Sequence, residues 1–254
     1  MLLHYKDSGT SGKVVCILHG LFGQSDNWQT HANKLSSYFR VITIDQRNHG
    51  HSDWHHEFSY KHLADDLERL IQHLQIDTFH LIGHSMGGKT AMHYAQNYPH
   101  RLEKLIVVDI GIKRYPFHHH EIIEGIKSVK LTNIKSRSEA EEAMKPFINS
   151  NGVRQFLLKN LYWKEKGQLA WRMNVDVLEA EMDEILSELP KKEVWIQTLF
   201  IRGALSNYIL DEDWEGIEEV FPDSELVTIE NSGHWVHAEA SEVFLESVLE
   251  FLIR

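Results

Sequence analysis

The chain has 254 residues, with 37 Asp and Glu against 26 Lys and Arg for a formal charge of −11, 18 histidines and one cysteine. A chain this long buries roughly 70–75% of its unfolded surface, and its acid excess repels phosphate backbones with no Lys/Arg cluster to offset it, which disfavours nucleic-acid binding. There is no run of 18 apolar residues and no basic-then-apolar leader, so neither a membrane span nor a secretory signal is read, and the cytoplasm is the expected compartment.

Cys16 lies inside the apolar run "VVCILH" and reads as a small buried hydrophobe with no partner for an intrachain disulfide. Protonating all 18 histidines would add 18 to −11 and give +7. That predicts a sharp change in solubility and stability between about pH 5.5 and 7.

In chain order, apolar runs bounded by turn residues occur at 14–20, 41–45, 79–83, 105–109, 198–203 and 225–230, and read as buried parallel strands. Helix-period segments lie between the first of them: 26–38, then 60–74 with Leu63, Leu67, Leu70, Ile71 and Leu74 on one face, then 86–98, stopped by Pro99. This alternation predicts an α/β fold, a mostly parallel sheet with helices on both faces and ligands at the carboxyl ends of the strands.

The rhythm breaks between 111 and 190. "HHHEIIEGIKSV", "SEAEEAMKPFI", "GVRQFLLKNLYW" and "VDVLEAEMDEILSEL" all read as helical with no strand between them. The expectation is a single domain with a core of 1–110 and 191–254 and a helical lid of 111–190 over the carboxyl edge. The segment 240–254, with Val243, Phe244, Val248, Leu249 and Leu252 at helical spacing, closes the domain.

The chemistry concentrates where one strand meets one helix. Gly83-x-Ser85-x-Gly87 occupies that junction, where a sharp turn lifts a hydroxyl above the sheet and small neighbours let strand and helix approach. A serine needs a base, and His234 in "ENSGHWVHAE", after the last strand and before the terminal helix, is the candidate, with His237 the alternative. The base needs an orienting carboxylate: Asp109 ends an apolar strand, where burial requires a partner, and is preferred to Asp211. Backbone N–H groups of Met86 and of Leu21, with Phe22 as second choice, are the candidate oxyanion donors.

His19 reads as a loop-orienting residue and Arg47 as a loop anchor. The histidines of "DQRNHGHSDWHH" and "FHHHE" are adjacent rather than spaced to converge on one ion, so no metal is expected, and no organic cofactor is required. Phe117, Phe147, Phe156, Tyr162, Trp163 and Trp171 supply aromatic surface to the lid, and Lys113 and Arg114 follow Asp109 as solvated charges.

With these pieces assembled, "HGLFG", "DQRNHGHSD", "GHSMGG" and "GHWVHAE" resemble, in order, the oxyanion loop, a post-strand loop, the nucleophile elbow and the histidine loop of the α/β-hydrolase family, across nearly the whole chain. More narrowly, "HGLFGQSDNW", "IGHSMGGK" and "QFLL" are similar to the small bacterial YbfF-type esterases. The resemblance implies an α/β-hydrolase fold with its lid inserted after the sixth strand. It also implies an acid at that strand's end, where Ser206 occupies the more usual acid position after the next strand.

The resemblance further implies a serine esterase or thioesterase acting through an acyl-enzyme on short to medium acyl groups, with acyl-CoA as a candidate substrate. Haloalkane dehalogenases and epoxide hydrolases, which place aspartate at the elbow, are excluded by Ser85. Lyases and C–C hydrolases with the same triad, and ligand-sensing binding modules, stay open.

Overall fold

The computed structural model describes residues 1–9, 12–117 and 119–254. The chain opens with β1 (Tyr5–Ser8), whose polar "YKDS" lacks the apolar run by which strands were read. It then enters β2 (Val14–Leu18), a short 3₁₀ turn at Ser25–Trp28, α1 (Gln29–Leu35), β3 (Arg40–Ile44) and α2 (Tyr60–His73). The helix expected over 26–38 is shorter because Gln24 N–H donates to Asn27 Oδ1 at 2.7 Å and tightens its first turn. Helix α2 starts at Ser59, which caps it through His62 N–H, and buries Leu63, Leu67, Leu70 and Ile71.

β4 (Phe79–His84) runs into α3 (Met86–Asn97), and β5 (Leu102–Val108) follows. The insertion that leaves the sheet after β5 contains α4 (His120–Ser128), α5 (Arg137–Met144), α6 (Asn151–Leu158), a hairpin of β6 (Leu161–Glu165) and β7 (Gln168–Trp171), α7 (Val175–Ala180) and α8 (Met182–Ile185). The hairpin corrects the all-helical reading of this region. It turns over Lys166-Gly167, with Gly167 at φ +83°, a left-handed conformation that glycine adopts without strain.

The chain returns through β8 (Thr198–Gly203), α9 (Trp214–Val220), β9 (Ser224–Ile229), α10 (Val236–Glu239) and α11 (Ser241–Ile253). Seven strands form one sheet in the order β1-β3-β2-β4-β5-β8-β9, antiparallel at β1–β3 and parallel elsewhere. The strand that precedes the insertion is therefore fifth in this chain rather than sixth, because a single antiparallel strand precedes β2.

Alternate residues of the central strands bury on opposite faces. Val15, Ile17, Ile82, Ile106 and Ile201 pack against α1 and α11, and Cys16, Leu18, Leu81, Leu105 and Phe200 face α2, α3 and α9. Burial pushes the Cys16 thiol above its ordinary range, so it is inert packing. No described helix is long and apolar enough to cross a membrane.

Candidate active site

β4 is buried along its whole length and delivers Ser85 to the carboxyl edge of the sheet, where the residue adopts φ +53° and ψ −122°, a strained conformation for a side chain with a Cβ. The flanking glycines are sterically required. A Cβ on Gly83 would lie 2.2 Å from the Gly87 carbonyl oxygen, and one on Gly87 would lie 2.5 Å from that of His19. The turn is held by Ser85 N–H donating to the Val108 carbonyl at 3.0 Å.

The three residues selected from sequence come together across the sheet edge. Ser85 Oγ lies 3.0 Å from His234 Nε2, and His234 Nδ1 lies 2.8 Å from Asp109 Oδ2. Asp109 is fully buried, and its second oxygen accepts from Gly203 N–H at 3.1 Å. Ser206, which stands in the more usual position of the acid, donates its hydroxyl to Asp109 Oδ2. Burial raises the Asp109 carboxyl to about 6, against the opposing pull of the Ser206 and Gly203 bonds and of His84 and Arg202. Asp211 is elsewhere, exposed and paired with Arg202 at 2.5 Å.

His234 is held from two further sides, one at its backbone and one at its ring. His84 Nε2–H donates to the His234 carbonyl at 2.8 Å, and the Tyr208 ring stacks on His234 with centroids 3.9 Å apart. Neither residue was selected from sequence, although His84 lies inside the quoted elbow motif. His237 is no base: it is buried, stacked on Trp28 at 4.3 Å, accepts from His31 through its carbonyl, and is pushed well below the ordinary histidine range by burial.

His19 and, from the first histidine cluster, His49 brace the loop at 19–23. His19 Nδ1–H donates to the Gly20 carbonyl at 2.8 Å while its Nε2 accepts from Gln46 N–H at 3.0 Å, and Gln46 Nε2 returns a bond to the His19 carbonyl. His49 Nε2 accepts from Phe22 N–H at 3.2 Å, and burial holds this imidazole down at about 3 and therefore neutral. The Phe22 amide, the second choice for the oxyanion, is thus committed to His49. Among the described residues the Leu21 and Met86 amides take part in no hydrogen bond.

Arg47 anchors its loop through a 2.7 Å pair with buried Asp66. Lys113 is half-buried and paired with Asp213, whereas Arg114 is solvent-exposed as expected and pairs at the surface with the exposed Asp183. Among the described residues no group of three or more His, Cys, Asp or Glu could hold a metal ion; His118 of the second cluster lies outside them. In front of Ser85 opens a cavity of about 230 Å³, walled chiefly by apolar side chains: Leu21 and Phe22 from the oxyanion loop, Val153, Phe156 and Leu157 from α6, and Trp235 from the histidine loop.

A serine against an imidazole, an orienting carboxylate and two amides at the carboxyl edge of a parallel sheet form an arrangement suited to acyl transfer. A sequence profile of the alpha/beta hydrolase fold matches residues 13–241, and the chain belongs to that family. It is 38% identical over 240 residues to a putative esterase/lipase of Haemophilus influenzae, covering 94% of this chain and 83% of that one. It is 34% identical to esterase YbfF of Escherichia coli, covering 94% and 92%. A solved marine microorganism esterase superposes with a TM-score of 0.96 at 41% identity over 98% of this chain and 99% of that one. The protein is an ester-cleaving hydrolase of the small bacterial esterase type.

Proposed function

We propose that the protein hydrolyses carboxylic esters of short to medium acyl chains through an acyl-enzyme on Ser85. The reading is carried by one observation, the hydrogen-bonded series Ser85–His234–Asp109 at 3.0 and 2.8 Å opening into a mainly apolar cavity of about 230 Å³. His234 Nε2 takes the Ser85 proton as Oγ attacks the ester carbonyl, and the N–H groups of Leu21 and Met86 hold the resulting oxyanion. The imidazolium, its Nδ1–H on Asp109, returns the proton to the leaving alkoxide. Water then repeats the sequence on the acyl-enzyme, releasing the acid and restoring Ser85.

The apolar wall of Val153, Phe156 and Leu157 fits an acyl chain, and residues 111–190 serve as its lid. Simple esters suit the site better than acyl-CoA, since no Lys or Arg is among the described residues that line the cavity, Lys113 and Arg114 included.

The test is intact-protein mass spectrometry after a fluorophosphonate, beside steady-state turnover of p-nitrophenyl esters of graded chain length. One adduct at Ser85, its loss in a folded Ser85→Ala variant and many turnovers per enzyme are expected. An adduct with negligible turnover would transfer the site to lyase chemistry or ligand sensing, and no adduct would remove Ser85 as nucleophile.

A further inference from the structure

Lys89, four residues after Ser85 and the last residue of the GHSMGGK run, is among the largest fully buried side chains of the protein. A buried ammonium needs a counter-charge or a set of acceptors. No carboxylate pairs with it among the described residues; Glu188 and Glu184 act from farther off, and burial lowers the amine to about 7.

Its Nζ donates instead to the carbonyl of Lys113, at 2.9 Å, and to that of Ser187, and lies 5.4 Å from the centre of the Tyr115 ring. Lys113 belongs to the segment by which the chain leaves the sheet after β5. Ser187 belongs to the segment by which it comes back towards β8. The mechanism uses neither this lysine nor these carbonyls.

The two connecting segments also bond each other, Tyr115 N–H to the Leu186 carbonyl at 2.9 Å and Leu189 N–H to the Ile112 carbonyl at 2.8 Å. Helix α3 grips the returning segment a second time, two turns beyond Lys89, where Gln96 Nε2 donates to the carbonyls of Pro190 and Lys192 at 2.7 and 3.0 Å. At the start of α2 the Tyr60 hydroxyl donates to the Ile185 carbonyl at 2.7 Å. On the outgoing side the Tyr115 hydroxyl accepts from Gly111 N–H and donates to the Tyr208 carbonyl, both at 2.7 Å, and Tyr208 is the ring stacked on His234.

We propose that Lys89 is the clasp of the insertion, a positioning residue that pins both of its connecting segments to helix α3, which begins next to Ser85, and so seats the insertion that carries the α6 wall of the acyl pocket. The residue type follows from the geometry. A long apolar stem carries the donors through the packed interior to two carbonyls that come from opposite ends of the insertion, and a methionine of similar length would reach them with nothing to donate. Lys89 does not touch the reacting atoms. Its loss therefore leaves chemistry on an acetyl ester running and weakens binding of longer acyl chains, which depend on Val153, Phe156 and Leu157. The kinetic consequence rests on the esterase reading; the structural consequence does not.

The experiment compares wild type, Lys89→Met and Lys89→Gln by native-state trypsin digestion with intact-mass readout, and by kcat and KM on p-nitrophenyl acetate and hexanoate. For Lys89→Met the expected results are cleavage after Lys113, Arg114, Lys191 or Lys192 at least tenfold faster than wild type, KM for the hexanoate raised at least tenfold, and KM for the acetate and both kcat values within threefold. Lys89→Gln, which keeps a side-chain donor, is expected to fall between the two.

Unchanged trypsin rates, or an equal loss on both esters through kcat, would overturn the proposal. Failure of both variants to fold would overturn it too, since a clasp joins two folded parts and makes neither. Should wild type hydrolyse no ester, the function proposed above fails while the trypsin rates still judge the clasp.

Discussion

Acidification is the perturbation whose effect on stability can be worked furthest from the structure. His49, His80 and His84 are buried at 0%, 0% and 4% exposure, and burial pushes their imidazoles down to about 3, 4 and 3. In the unfolded chain each titrates near 6.5, so below that pH the unfolded state binds protons that the native state refuses. Their contribution is fully present above about pH 7.5 and is lost as the pH falls, at about 1.4 kcal/mol per histidine between pH 7.5 and 5.5, or about 4 kcal/mol for the three.

Asp109, raised to about 6 by burial, works the other way. It takes up a proton in the native state over the same window and returns about 0.8 kcal/mol. Lys89, lowered to about 7 by burial, is charged throughout the window in the unfolded chain but only in part in the native state, which adds a loss of about 0.8 kcal/mol, and His93, lowered to about 4, adds a loss of about 1.4 kcal/mol. The net loss is about 5 kcal/mol, which for a chain of this length is a fall in Tm of roughly 10–20 °C. His19, His31 and His237 are lowered as well and add to it. The assay is thermal unfolding by circular dichroism at constant ionic strength from pH 7.5 to 5.5. A Tm that stays level or rises over that range would refute the reasoning, because it would mean that these histidines accept protons without unfolding.

The catalytic assignment yields three further outcomes. Asp109→Asn is expected to lower kcat by about three to four orders of magnitude by losing control of the imidazole tautomer, while Asp211→Asn, on the exposed pair with Arg202, stays within about twofold; ester kinetics on both variants check the ranking. Ser206→Ala removes a hydrogen bond that favours the ionised Asp109, so the carboxyl rises further and the acid limb of the kcat/KM–pH profile moves to higher pH, read from ester hydrolysis between about pH 5 and 8. Phe156→Ala enlarges the apolar wall and is expected to shift the preferred acyl chain of p-nitrophenyl esters upward by about two carbons; an unchanged chain-length profile would place the acyl group elsewhere.

What could be read from sequence was what local geometry dictates. A strand that must turn at once into a helix needs glycines on both sides of the turn, and the 2.2 and 2.5 Å approaches at Gly83 and Gly87 are the same constraint seen in space. Asp109 was found because an acid ending an apolar strand must have a partner, and its partners are His234, Gly203 and Ser206.

The residues that escaped take their roles from distant chain. Ser206 lies 97 positions from the carboxylate it bonds, and its hydroxyl looks like any other until β5 and β8 pair in parallel. Tyr208 and His84 act on His234 by stacking and by a carbonyl contact, neither of which leaves a spacing in sequence. The β6–β7 hairpin escaped because "LYWKEKGQLAW" continues a helical run and announces its turn only through Gly167.

The histidine count misled for a related physical reason. Among the described residues eight histidines have lowered pKa values, so the swing from −11 to +7 belongs to the unfolded chain. In the folded protein His19, His49 and His84 are kept neutral, where one ring nitrogen donates and the other accepts. At His19 and His49 one nitrogen donates to a nearby carbonyl, that of Gly20 and of Arg47 respectively, and the other accepts a backbone N–H, that of Gln46 and of Phe22, which ties the loop at 19–23 to the loop at 46–49. Protonation would turn each accepting nitrogen into a donor facing an N–H group. Residues that look from composition like a charge reservoir are therefore used as neutral connectors, and the acid sensitivity of the fold follows from that use.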